Sequence, residues 1–397
     1  MNSANTFPTE HLPIGKLLAF TLAGFITIMT EIIPAGLLPL ISKDLGISES
    51  LAGQLISVYA LGSVVAAIPI VSATRSWSRK SLFLLAISGL FIFNSLTAIS
   101  SNYIVILFLR FFAGMSAGVI WGILAGYARN MVSGNLQGRA MAIVGVGQPI
   151  ALCMGVPIAT WLGSMFDWRG VFFMISSLAL CLIIWVQTKL PNIQGQSVDK
   201  KTSVKEVFYY PGIRSILAVI FLWIFAHNIL YTFIAPYLSS AHLNESLDFI
   251  LLVFGLSSIL GIWITGVFID KALRKLVLIN LLGFAFASIF IGLFSGHTLM
   301  VIIGIALWGV TFGGAPTLLQ TAIADTSGNN VDIAQSMLVT VFNLAVAGGG
   351  IAGGILLKEI GISSFFVSMT FLSLIGLFIV FSAHKNGFKS GSRLSIE

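Results

Sequence analysis

The sequence predicts an all-α membrane protein of twelve transmembrane helices arranged as two six-helix halves. Three observations carry that prediction. Of 397 residues, 57% are hydrophobic and 9% are charged, with a mean hydropathy of +1.00, whereas soluble domains carry about 25% charged residues. The apolar residues fall into twelve runs, each close to or above the roughly 20 residues that cross a bilayer. The lysines and arginines alternate from loop to loop as a multi-pass topology requires.

The first run, 17–42, is too long for a signal-peptide core and lacks a clear cleavage site, so it is read as a retained span. Spans two to six follow at 51–73, 81–100, 103–127, 140–164 and 169–188. The longest polar stretch, Pro191 to Tyr210, then interrupts the pattern. Spans seven to twelve occupy 213–239, 247–270, 276–296, 298–324, 333–357 and 362–383. The expected organisation is an N-terminal half, 1–188, a cytoplasmic linker, 189–212, and a C-terminal half, 213–397. No length remains for a soluble catalytic or ligand-binding domain.

Orientation follows from charge. With the N-terminus in the cytoplasm, that side receives Lys16, Arg75, Arg79, Lys80, Arg129, Arg139, Lys189, Lys200, Lys201, Lys205, Arg214, Lys271, Arg274, Lys275, Lys385, Lys389 and Arg393. The other side receives Lys43, Arg169 and Lys358, and Arg110 lies inside a span. Both termini are therefore expected in the cytoplasm. The net charge of +7 is spread over short loops rather than one face, so nucleic acid is not an expected partner. Cys153 and Cys181 lie in apolar runs as packing residues and give no disulfide framework.

The halves read as weak repeats at an offset of 196. Glu49-Ser50-Leu51 matches Glu245-Ser246-Leu247, Leu82 matches Leu278, Gly118 matches Gly314, and Met141 matches Met337. In that register Glu31 falls opposite His227, so each half carries an ionisable residue at similar depth. A site at the interface of parallel halves, near the midplane, is a transporter arrangement.

Glu31 is the only acid in the interior of any span. A carboxylate at membrane depth is costly unless it has a task, which points to proton-coupled transport. Arg110 in span four lies within about 5 Å of the same depth at ~1.5 Å per residue. It can pair with Glu31, tune its proton affinity, or anchor backbone carbonyls. Gly114, Gly118, Gly122 and Gly126 line one face of that span, for close packing or a substrate path. Span five carries Gly145, Gly147, Gln148, Pro149, Gly155 and Pro157, residues that loosen a helix for a hinge or a packing kink. In span seven, His227 and Tyr231 share a face, next to Asn228, and histidine titrates near neutral pH. Asn94, Trp121, Trp223, Trp308, Gln320 and Asn343 are further intramembrane polar or aromatic residues, some of which should line a cavity. Gly266 and Asp270, with Lys271, Arg274 and Lys275, end span eight as a charged latch or as ordinary positive-inside charge. The sequence contains no phosphate-binding glycine loop, no metal-ligand spacing and no nucleophile arrangement above background. Neither an ATP motor, a metal site nor an enzyme is expected.

With these residues in view, the chain resembles the major facilitator superfamily, in particular its twelve-helix drug:proton antiporter branch. Arg110 with Gly114 and Gly118 resembles the branch's fourth-helix motif. Gly147 to Pro157 resembles its fifth-helix antiporter motif. Gly155-Val156-Pro157 through Gly163 to Asp167-Trp168-Arg169 and Phe172 resembles the loop closing the first half. Glu31-Ile32-Ile33-Pro34, Gly36-Leu37-Leu38-Pro39 and Asp44-Leu45-Gly46, with His227, Tyr231-Thr232 and Pro236, are similar to bacterial sugar-efflux and chloramphenicol-resistance exporters. The family's loop after span two normally holds Gly and Asp; here Pro69 and Thr74 stand there, while Gly266 and Asp270 keep the second copy.

The resemblance implies a proton-driven exporter in the bacterial inner membrane, a monomer that needs no cofactor beyond the proton gradient. Protons, membrane lipid and a small molecule are its expected partners. Glu31, Arg110 and His227 are the expected proton-coupling residues. Asn228, Tyr231, Gln320, Asn343, Trp121, Trp308 and Gln148 are expected at the substrate. Gly114, Gly118, Gly147, Pro149, Gly155, Pro157, Gly266 and Asp270 are expected to shape the conformational change. An importer or uniporter of a small nutrient is the first rival, and an intramembrane enzyme or sensor the second. Sugars and amphiphilic drugs remain equal as substrates.

Overall fold

A computed structural model describes residues 11–67, 69–74, 76–133, 136–194 and 204–389. Arg75, Lys200, Lys201 and Arg393 of the charge pattern, and the middle of the 189–212 linker, lie outside the described residues. The helices are α1 (Ile14–Leu45), α2 (Glu49–Ala67), α3 (Pro69–Ala73), α4 (Arg79–Ile99), α5 (Tyr103–Arg129), α6 (Gln137–Gly145), α7 (Gly147–Ile150), α8 (Val156–Lys189), α9 (Val204–Phe208), α10 (Ile213–Tyr231), α11 (Ile234–Ser240), α12 (Leu247–Leu293), α13 (Thr298–Gly313), α14 (Ala315–Ser327), α15 (Val331–Glu359) and α16 (Ser363–Ser382). Local chemistry sets several ends. Gly46 closes α1 at φ 62, a conformation that costs glycine little. The Asn102 side chain accepts from the N–H groups of Ile104 and Val105 at 2.9 and 3.2 Å and caps α5.

Among the described residues, ten helical stretches are long and apolar enough to cross a membrane. Two of them, Arg139–Lys189 and Leu247–Leu293, run for 51 and 47 residues. At about 1.5 Å per residue each exceeds 70 Å, more than twice the ~30 Å hydrocarbon core. Each also breaks within: Asp167 adopts φ 63, ψ 164, and Ala272 adopts φ −148, ψ 33. The two stretches therefore supply two crossings each, which gives the twelve expected spans. Outward-facing Phe108, Trp263, Val367, Phe371, Phe378 and Phe381 are exposed in the isolated chain, as lipid contact demands.

Three spans are interrupted where the sequence loosens them. Span five passes through α6, α7 and a π-helical turn, Ala151–Gly155, before α8. Gly147 and Gly155 there lie against Thr21 and Met29 of α1 so closely that a Cβ at either would collide. Span seven breaks between α10 and α11, four residues before Pro236, and span ten breaks at Gly314, before Pro316.

The break at Asp167 is tied down. Arg169 donates to the carbonyls of Ala98 and Ser100 at 2.9 and 2.6 Å and pairs with Asp44 at 2.8 Å. The Trp168 indole N–H donates to the same carboxylate at 3.1 Å, under the Arg169 guanidinium. These contacts join the ends of α1 and α4 to the turn between the fifth and sixth spans.

Two helix pairs repeat one packing device. Gly114 and Gly118 of α5 sit on the backbone of Tyr59 and Ser63 in α2. Gly309 and Gly313 of α13 sit on the backbone of Phe254 and Ser258 in α12. All four positions recur at a separation of 195. The offset of 196 is thus one residue too long in this region: Gly314, its partner for Gly118, abuts Thr265 instead. One residue turns a helix face by about 100°, so the slip matters.

The first and last six spans meet along a seam toward the α1–α2 loop. Ser50 donates to the Gly354 carbonyl at 2.9 Å and Gln54 to the Gly350 carbonyl at 3.4 Å. Gly53 accepts the ring of Phe233, Gly36 lies beside Leu251, and Gly255 rests on the Cys153 backbone. At the other end, the contacts of Lys80 with Gln187 and Leu190, of Tyr127 with Pro191, of Asn330 with Tyr210 and of Arg274 with Phe381 stay within one set of spans.

Candidate functional site

Glu31 lies midway along α1 and is 5% exposed. Arg110, from α5, is fully buried beside it. The guanidinium is held by backbone carbonyls. Its Nη2 donates to Thr30 O at 2.6 Å and reaches Glu31 O at 3.4 Å, while Nε donates to Leu55 O at 3.2 Å. Its Nη1 is buried without a partner. The Tyr59 ring lies 4.6 Å and the Phe172 ring 5.6 Å from its carbon centre. Tyr59 also donates to Thr27 O at 2.9 Å, and Asn94 donates to the Thr30 hydroxyl at 3.0 Å. Of the roles open to Arg110, the observed contacts are those of a carbonyl anchor, and its contact with residue 31 is to the main chain.

A second centre forms in the last six spans. The His227 ring stacks on Phe312, with centroids 3.6 Å apart and planes 1° apart, and on Tyr231 at 5.0 Å. Trp308 and Phe254 lie 5.2 and 5.9 Å from it. His227 Nδ1, the Tyr231 hydroxyl, the Trp308 indole N–H and the neighbouring Trp223 indole N–H are buried without partners. Orphaned buried polar groups cost about 1–3 kcal/mol each, so four around one set of rings is a feature that asks for a ligand or a second state.

A family model described as the Major Facilitator Superfamily matches residues 20–272 and 245–394. This chain belongs to the major facilitator superfamily. It is a membrane transporter and not an enzyme. The chain is 28% identical over 391 residues to the transcription regulatory protein OpdE of Pseudomonas aeruginosa, covering 96% of each. It is 25% identical over 356 residues to a probable sugar efflux transporter of Helicobacter acinonychis, covering 89% of this chain and 91% of that one. It is 26% identical over 340 residues to the purine ribonucleoside efflux pump NepI of Shigella sonnei, covering 85% and 86%. The backbone is similar to the crystal structure of the human organic anion transporter MFSD10 (TETRAN), with a TM-score of 0.68 at 15% identity over 92% of this chain and 98% of that one. At that identity the likeness concerns the fold.

On this major facilitator scaffold the other expected residues scatter. The Asn228 and Asn343 amides donate to their own helices, at Ile224 O and Val339 O, both at 2.9 Å. Gln320 is exposed, and its main-chain carbonyl accepts from Gln335 at 3.0 Å. Gln148 and Pro149 are half-buried beside the π-helical turn, and Pro157 opens α8 after it. Trp121 lies across from Gly24 on α1. Gly266 has open space around it, and in the charged stretch that follows Asp270 the Arg274 side chain holds Phe381 O at 3.0 Å within the last six spans. Tyr59, Phe254 and Phe312 join the two centres although sequence reasoning passed over them. A spacing of 195 between Tyr59 and Phe254 was the available signal.

Proposed function

We propose that this transporter is a proton-driven exporter of small neutral or amphiphilic molecules, working by alternating access in a bacterial inner membrane. Glu31 carries the proton and Arg110 governs it. The observation that carries this reading is Glu31 itself, an acid in the interior of a span, 5% exposed, against a buried arginine with an unpaired nitrogen. Proton and substrate favour opposite-facing states, the differential binding that coupling requires. Relatives named for sugar efflux and purine ribonucleoside efflux support export and a hydroxyl-rich cargo. His227, Tyr231 and Trp308 supply its aromatic and polar contacts. With both termini and the linker in the cytoplasm, as the charge pattern favours, the seam at the α1–α2 loop closes the outer side. The chain then rests facing inward, its two six-helix halves rocking about that seam.

The test is accumulation of radiolabelled arabinose, inosine and chloramphenicol in energised cells with and without the protein. Lower accumulation of one compound, restored by a protonophore, is expected, and Glu31→Gln should abolish it while the protein stays folded. Undiminished gradient-driven efflux in that variant would remove Glu31 from the proton path.

A further inference from the structure

An α-helical carbonyl at position i normally accepts from the N–H at i+4. Pro34 has no N–H, so the Thr30 carbonyl loses its donor within α1. That same carbonyl receives Arg110 Nη2 at 2.6 Å, the shortest of the three carbonyl contacts the guanidinium makes. An arginine from another helix thus fills a gap made by a proline.

We infer that Arg110 is a two-position clasp: it holds the Thr30 carbonyl that Pro34 frees, and it turns to the Glu31 carboxylate when Glu31 gives up its proton, releasing α1 to bend at Pro34. The inference rests on the proton role proposed for Glu31 and adds the means by which the charge reaches the helix. Four observations support it. Nη1 has no partner in the observed position, so the guanidinium has a donor in reserve. Nη2 already reaches the main-chain oxygen of Glu31 at 3.4 Å, so the guanidinium lies against the residue whose carboxylate it is to meet. Tyr59 and Phe172 flank the guanidinium, and stacked rings allow a planar group to turn without losing contact. Finally, the segment before Pro34 is fixed, by Tyr59 to Thr27 O and by Asn94 to the Thr30 hydroxyl. The segment after it carries Gly36, which lies against Thr160 and Leu251 at the seam between the two sets of spans. The titratable or charged groups at this point are Glu31 from α1, Tyr59 from α2 and Arg110 from α5. Asn94 of α4 and Phe172 of α8 complete the surroundings and do not titrate.

The inference is tested by labelling the full-length protein in liposomes with dicyclohexylcarbodiimide, which reacts with protonated buried carboxyls, and quantifying the Glu31 adduct by mass spectrometry. Pro34→Ala restores the N–H that serves Thr30 O and frees Arg110 for the carboxylate. Glu31 labelling at neutral pH should fall by about tenfold, the scale of one charge-assisted hydrogen bond. In an Arg110→Gln background the same substitution should leave labelling unchanged. Equal labelling of wild type and Pro34→Ala would overturn the clasp. So would an equal fall with and without Arg110, because the proline would then act on helix shape alone. Pro34→Ser supplies the same N–H if Pro34→Ala accumulates poorly. Failure of the proton role is read separately: gradient-driven efflux by Glu31→Gln would remove that role and leave the labelling pattern as it is.

Discussion

In the α2–α5 pair, Gly114 and Gly118 bring Tyr59 against Arg110; in the α12–α13 pair, Gly309 and Gly313 bring Phe254 against Trp308, with His227 of α10 beside both rings. The backbone device is the same, and the ring sits at equivalent positions 195 residues apart. The fillings differ. Arg110 in the first pair corresponds to Ile305 in the second, which is fully buried in apolar surroundings. Ala113 and Ala117 in the first correspond to Trp308 and Phe312 in the second. Glycine against main chain sets the distance between helices, and the residues beside the glycines decide whether the space holds charge or aromatic faces.

The comparison can be broken most forcefully at the glycines. Gly118→Leu and Gly313→Leu would each push a side chain into main-chain atoms, at Ser63 and Ser258, which cannot yield as a side-chain tip would. Both should lose at least ~3 kcal/mol and most folded protein, read by size-exclusion of a fluorescent fusion. Collapse of one pair alone would show that the two are not equivalent. Next comes Arg110→Met against Ile305→Met. The first leaves the buried Thr30 carbonyl without a donor and should cost up to about 3 kcal/mol. The second exchanges one hydrocarbon for another and should cost less than ~1.5 kcal/mol. Thermal unfolding in one detergent separates them, and similar losses would deny the first pair its polar character.

Trp308→Phe sharpens the second pair. It keeps an aromatic face and removes an orphaned N–H, so unliganded stability should hold or rise by up to about 1 kcal/mol. If that N–H meets substrate, affinity should fall roughly five- to tenfold, measured by equilibrium binding of whichever compound the accumulation assay identifies. Unchanged affinity would place the cargo elsewhere. The smallest effect lies outside both pairs. Asp44→Asn weakens a partly exposed ion pair with Arg169 and should cost less than ~1 kcal/mol, diminishing in high salt.

Most of the membrane fold was legible because lipid tolerates so little. Runs near 20 apolar residues, loop charges and the pattern Gly114, Gly118 each violate or obey a composition rule that reads directly from the chain. Glu31 and His227 stood out for the same reason. Arg110 stood out as well, but its partners did not, since a backbone carbonyl has no residue type to search for. Pro34 was the one local hint that Thr30 O would need an outside donor. Phe254 and Phe312 were hidden among 31 phenylalanines; only the folded chain says which of them meet a histidine. The slip from 196 to 195 was invisible because a few identical residues align as well in one register as in its neighbour, while helix faces do not.

The seam by the α1–α2 loop has an energetic consequence. Among the described residues its side-chain hydrogen bonds, from Ser50 and Gln54, both end on backbone carbonyls, and the buried Phe233 ring is seated on Gly53. Each such bond contributes about 0.5–1.5 kcal/mol net. A proton crossing the membrane releases about 1.4 kcal/mol per pH unit and about 2.3 kcal/mol per 100 mV. A single bond of the seam is therefore no larger than the work one proton crossing could supply. A door fastened by many interlocked rings would demand far more work to open, whereas this latch of hydrogen bonds and a ring seated on glycine is light enough to part and to fasten again.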